Sequence, residues 1–148
     1  MTDRFFIRKK FRFEAAHQLC AAYSKACSEC IHGHSYVVEV VFSSYDLQSD
    51  GMVVDFGLVK DLIKARVDLW DHALIMPTTF PHEYLDTLCR FNTKLILVAW
   101  NPTAENMARF LYYQIIKDCG ERLPPNVLVH SVTVHETETG YATYSVEE

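Results

Sequence analysis

At 148 residues and 49% hydrophobic content, the chain is long enough to bury one core without covalent staples, and a single domain over residues 1–148 is expected. A formal net charge of −5 excludes broad, non-specific nucleic-acid binding, and no run approaches the roughly 18 apolar residues of a membrane-spanning helix. Five cysteines, an odd number, behind an N-terminus without a secretory apolar stretch argue against a disulfide framework and for metal or thiol chemistry in a cytoplasmic protein.

In chain order, RFFIRKKFRFEAAHQL sets Phe5, Ile7, Phe11 and Phe13 on one parity and Arg8, Lys10 and Arg12 on the other. That is a strand with one wet face, and it carries His17 near its end. The basic run reads as a solvated strand face, with an anion site as the alternative. HSYVVEVVFSSYDL is a second strand, closed by the Asp50-Gly51 turn signal, and the two long neighbours suggest an antiparallel pair. GLVKDLIKARVDLW spaces Leu58, Leu62 and Leu69 as the stripe of a first helix. The proline-broken segment after it holds a possible short helix from Glu83 to Phe91 and a strand-like KLILVAW. NPTAENMARFLYYQIIKDCG is a second helix, with Thr103 as N-cap and Gly120 as C-cap. NVLVHSVTVHETETGYATYSV alternates as a closing strand pair that turns at Thr139-Gly140. The economical architecture is α+β, with helices on one face of an antiparallel sheet.

The chemistry is concentrated in CSECIHGHSY. His32 and His34 lie two apart on a strand, so both imidazoles leave on one face, and the neighbouring strand can bring His17 to them. Three neutral imidazoles make a His₃ zinc site with a position open to water or substrate, whereas Gly33 leaves room for close approach to the backbone. A rival set, Cys27, Cys30, His32 and His34, has the residue types of structural zinc, but crowds all four ligands into one segment. Ordinary polar residues at a strand end are the plain alternative.

FEAAHQL, the cysteine ahead of HGHSY, GMVVDF, WDH, PTAEN and VHET follow one another from Phe13 to Glu136. In that order they resemble the 6-pyruvoyl-tetrahydropterin synthase and 6-carboxytetrahydropterin synthase family. The resemblance implies a tunnelling fold: a four-stranded antiparallel sheet with two helices, in ββααββ order, assembled through sheet edges into a homohexamer (a trimer of dimers or dimer of trimers). It implies zinc on His17, His32 and His34, and a catalytic set of Cys27, Asp71 and His72. It further implies a pterin anchor at Glu136 and pocket residues at Thr103 and Glu105. The implied substrate is 7,8-dihydroneopterin triphosphate. The carboxy branch, a zinc lyase step of queuosine biosynthesis, releases acetaldehyde and triphosphate and leaves 6-carboxy-5,6,7,8-tetrahydropterin. The sequence resembles that bacterial branch more than the pyruvoyl branch, and a non-catalytic zinc-containing pterin-binding module is the alternative from another class.

Those assignments suit the residue types. A thiol serves as a base when a neighbouring cation favours its thiolate, and a histidine held by an aspartate can exchange protons near neutrality. A buried carboxylate at Glu136 needs partners, which a pterin amino group and ring N–H would supply. Without the resemblance, Asp71 reads as a turn cap, Glu136 as an exposed strand-end acid, Thr103 as an N-cap and Glu105 as a first-turn acid. Four residues separate Cys27 from His32, where the bacterial carboxy-type pattern has three and the animal pattern five. Cys30 is a second thiol in that gap, and the stretch from Pro77 to Trp100 is longer than the family pattern needs.

Overall fold

Alternating apolar and polar residues make the first long segment a strand, and the computed structural model, which describes residues 2–147, pairs it along its whole length. β1 (Phe5–His17) runs antiparallel to β2 (His32–Ser44), from Phe5 opposite Ser44 to His17 opposite His32. β2 in turn pairs antiparallel with β5 (Leu128–His135), with a register shift between Val41 and Phe42, and β6 (Tyr141–Ser145) returns antiparallel on β5. These four strands are the antiparallel set expected.

The sheet nevertheless has six strands, so the four-stranded, ββααββ expectation is corrected. β3 (Ala73–Pro77) lies parallel to β1, and β4 (Leu95–Val98) lies parallel to β3, giving the order β4-β3-β1-β2-β5-β6. All five residues of β3 are buried. A strand covered on both faces reads as a continuous apolar run without alternation, and the nearby prolines disguised it further.

The two long helices lie on one face, as expected, and a short third helix covers the other. α2 (Phe56–Asp68), capped by Asp55 Oδ1 accepting from Gly57 N at 2.6 Å, packs on the main core with α4 (Ala104–Cys119). Val59 and Ile63 from α2 and Met107, Leu111 and Ile115 from α4 meet Phe13, Tyr36, Val38, Val40, Val132 and Val134 of the sheet. Side chains of a strand alternate between faces, and β3 divides accordingly: Ala73 and Ile75 join this core, whereas Leu74 and Met76 join Leu85 in a second one. Leu85 belongs to α3 (His82–Phe91), which therefore covers the opposite face at the β3 edge. α1 (Lys25–Ser28) is a four-residue turn of helix between β1 and β2 that buries none of its side chains.

The two core helices are linked by Arg66 and Asp118, whose guanidinium and carboxylate make paired bonds of 2.7 and 2.9 Å. The Arg66 hydrogen bond holds the Asp118 carboxyl below its ordinary 3.8, against a smaller opposing effect of burial. Asp118→Asn should cost about 1 kcal/mol at neutral pH, a figure kept small because solvent reaches the pair. A depressed carboxyl contributes stability above its unfolded value and loses it as pH falls through the native one. Urea unfolding of the two proteins should therefore differ at neutral pH and converge as pH drops below 3.8.

Candidate metal centre and active site

The last residue of β1 and the first residues of β2 converge at one end of the sheet. His17 faces His32 across the antiparallel register, and His34 is opposite Ala15. All three share the parity of Phe13 and Tyr36, so the site continues the main core rather than sitting on the wet face. One nitrogen from each imidazole lies within 4.8 Å of the others, and among the described residues this is the one His, Cys, Asp and Glu group of metal-ligand geometry. No thiol joins it, so the rival Cys27, Cys30, His32, His34 set is not assembled. Nor does Gly33 make room for the metal. Its missing side chain would point to the opposite face, where an added Cβ would touch only the Ala15 carbonyl at 3.4 Å.

Backbone carbonyls orient the rings. His17 Nδ1 is 2.8 Å from the Pro102 carbonyl, and His32 Nδ1 is 3.0 Å from the Cys30 carbonyl. A carbonyl only accepts, so both rings carry their proton on Nδ1 and present a bare Nε2. These two Nε2 atoms are 2.9 Å apart, lone pair against lone pair. His34 Nε2 is buried with no hydrogen-bond partner. Glu136 Oε1 lies 3.4 Å from His17 Nε2 and 3.6 Å from His34 Nε2. Three proton-free or orphaned nitrogens facing one point beside a carboxylate are a donor set that fits a divalent cation of zinc type, with outer partners fixing the ligands.

Burial reinforces this. His17 is 1% exposed, and desolvation, partly offset by the Pro102 hydrogen bond and assisted by His32 and His34, pushes it down to about 4. Burial also lowers His34, with Glu136 opposing. The ligand form of imidazole is the neutral one, so protons compete weakly for the site near neutrality. Burial, then Glu136, raises the Tyr36 phenol, whose oxygen is 3.2 Å from His17 Nδ1.

The remaining candidates are distributed around this end of the sheet. Cys27 is half-buried on α1 and Cys30 is exposed. His72 and Asp71 form a pair at 3.0 Å, and the Asp71 carboxyl is held below its usual range by the Glu14 amide first and His72 second. Asp71 Oδ1 accepts from Glu14 N at 2.9 Å, which docks the pair on β1. His72 has φ 59 and a side chain 79% exposed. It borders one pocket of about 400 Å³ with Glu14, Ala15, Ala16, Gly33, His34 and Ser35, and another of about 430 Å³ with Leu74, Leu88 and Phe91. Glu14, Ala16, Gly33, Ser35 and Leu74 have the parity opposite to the three ligands, so much of the lining beside His72 comes from the reverse face of the sheet, with His34 reaching the first pocket as well. Thr103 caps α4 through Asn106 N at 3.2 Å, directly after the Pro102 that holds His17, and Glu105 is exposed on the first turn.

Sequence reasoning missed Pro102, Cys30 as a backbone acceptor, Tyr36 and the hydrogen bonds of Gln18. Tyr36 could have been found, since it continues the two-residue spacing of His32 and His34.

A family model described as 6-pyruvoyl tetrahydropterin synthase matches residues 6–147. The chain belongs to that family. Among relatives, it is 34% identical to the Aquifex aeolicus protein named 6-carboxy-5,6,7,8-tetrahydropterin synthase, over 95% of this chain and 98% of that one. The Haemophilus influenzae protein of the same name is 33% identical with the same coverage of each chain. Among solved structures, an uncharacterised Wolinella succinogenes protein superposes with TM-score 0.79 at 22% identity, covering 97% and 99% of the two chains. The Plasmodium vivax 6-pyruvoyl tetrahydropterin synthase gives 0.71 at 18%, covering 96% and 97%. At such identities these two share the fold, and the 6-pyruvoyl tetrahydropterin synthase family is thereby represented in both sequence and architecture.

One divalent ion per chain should bind at the three histidines. Saturating metal should raise the melting temperature by roughly 10 °C, from about 4 kcal/mol at a thousandfold excess over Kd. His34→Ala should remove both the stoichiometric ion and the thermal shift, as read by metal analysis and calorimetry.

Proposed function

We propose that this protein is a zinc-dependent lyase that converts 7,8-dihydroneopterin triphosphate and water to 6-carboxy-5,6,7,8-tetrahydropterin, with release of acetaldehyde and triphosphate, in queuosine and 7-deazapurine biosynthesis. The observation that carries this reading is the trio of oriented imidazoles with the Glu136 carboxylate beside it. It occurs in a chain that matches nearly the full length of relatives named for that synthase.

His17, His32 and His34 would hold the zinc, which when bound supplies Lewis acidity toward the hydroxyls of the substrate side chain. Cys27 takes a proton from the side chain as general base. His72, fixed by the Asp71 carboxylate, passes a proton on the other side of the substrate. Glu136, with a side chain 32% exposed at the edge of the cluster, accepts from the amino group and ring N–H of the pterin. Thr103 and Glu105 line the pocket from the start of α4. The product branch, carboxy rather than pyruvoyl, rests on the names of the relatives.

Assembly into a homo-oligomer, a hexamer in this reading, draws support from two features. The terminal strands β4 and β6 leave their outer edges unpaired within the described chain, and such edges are templates for another copy. In addition, the His72 side chain is 79% exposed and makes no hydrogen bond to its own chain's imidazoles, which leaves the Asp71–His72 pair free to serve the site of a neighbour. No described helix is long and apolar enough to cross a membrane, and a cytoplasmic protein acting on a soluble substrate fits that.

Zinc-loaded protein incubated with 7,8-dihydroneopterin triphosphate should yield the 6-carboxy product and acetaldehyde by mass spectrometry. A pyruvoyl product would move the protein to the other branch, and bound but unconverted pterin would leave a binding module. Cys27→Ala should retain zinc and lower turnover by about a hundredfold or more. Undiminished turnover would eliminate Cys27 as the base.

A further inference from the structure

The four residues of α1 carry Cys27 without burying a single side chain, so no apolar anchor fixes the thiol. From Cys20 to Ala26 the connection is exposed as well. Hydrogen bonds must therefore do the positioning: Asn101 holds the start of the connection, accepting from Cys20 N at 2.9 Å and donating to the Ala21 carbonyl at 3.0 Å, and the bonds at the Cys27 end come from Leu19 and from Gln18, which is buried at 6% exposure. Its Nε2 donates to the Ser28 carbonyl at 2.9 Å, one residue beyond Cys27, while the adjoining Leu19 N donates to the Cys27 carbonyl at 2.9 Å. Its Oε1 accepts from the Tyr84 hydroxyl at 2.6 Å.

Tyr84 comes from α3, in the stretch that the sequence left without a role. It stacks on Phe80 at 5.4 Å and packs against the cluster of Leu74, Met76 and Leu85. Because the Ser28 carbonyl can only accept, the Gln18 amide must turn its nitrogen there, and its oxygen then needs a donor. Tyr84 is that donor.

We propose that Tyr84 and Gln18 are positioning residues that set the Cys27 thiol, with α3 as the support for the end of the loop that carries Cys27, while Asn101 holds its start. The catalytic consequence rests on the lyase reading, whereas the effect on the thiol does not. In Tyr84→Phe the ring still stacks, but Gln18 Oε1 is left buried without its donor and the amide loses its fixed orientation. Gln18→Ala removes the link to Ser28 altogether. Either change should release α1 by local opening while the sheet stays closed.

The test is iodoacetamide labelling of the zinc-loaded protein, read cysteine by cysteine through peptide mass spectrometry, alongside steady-state kinetics. For both variants we expect Cys27 to label about fivefold faster or more, and kcat to fall about tenfold with KM and zinc content held within about twofold. Cys89, exposed on α3, should label at the wild-type rate. Wild-type Cys27 labelling and wild-type kcat in both variants would overturn the proposal. So would parallel acceleration at Cys27 and Cys89, because Tyr84 would then only hold α3 together. If the wild-type protein makes no pterin product yet Cys27 labelling still responds, the lyase reading falls and the positioning of the thiol stands.

Discussion

Two bare imidazole nitrogens 2.9 Å apart, one of them on the buried ring of His17, are the constraint around which this end of the molecule is organised. Each ring spends its one proton on a backbone carbonyl, so neither can relieve the contact by donating to the other. Protonation would relieve it, but burial opposes charge on His17. A shared electrophile is the solution that costs neither hydrogen bond. The carbonyls that create this situation come from Pro102 and Cys30, so the start of α4 and the loop before β2 are as much a part of the site as the strands.

The sheet also separates parts of the candidate site. Its core face continues from Phe13 and Tyr36 straight into the imidazole cluster, while the reverse face carries Gly33, Ser35 and the pocket beside His72. A two-residue period thus gives the imidazole cluster the core face and gives the reverse face much of the lining beside His72. The same period splits β3 between two cores and gives α3 a surface of its own to cover.

Strand parity made much of this legible. The pairing of β1 with β2 and the convergence of His17, His32 and His34 followed from spacing alone, and both long helices from their apolar stripes and caps. Parity was blind where it did not operate. β3 is apolar throughout, so its face assignment and even its existence left no alternating trace. Main-chain carbonyls have no letter in a sequence, which hid the partners of His17 and His32. Gln18 and Tyr84 are 66 positions apart and carry no motif, so only the folded chain could join them. Gly33 was visible but pointed the other way, because room at a glycine opens where its absent Cβ would have been.

His72 adopts a left-handed backbone conformation that side chains other than glycine enter at a cost of about 1 kcal/mol. The cost is borne continuously, whether or not substrate is present. Glycine at this position would make the turn easier to form and leave the Asp71 carboxylate without its imidazole. Selection acting on stability alone would therefore drift toward erasing the side chain here. The persistence of an imidazole in descendants of this sequence would be a record of pressure other than on folding.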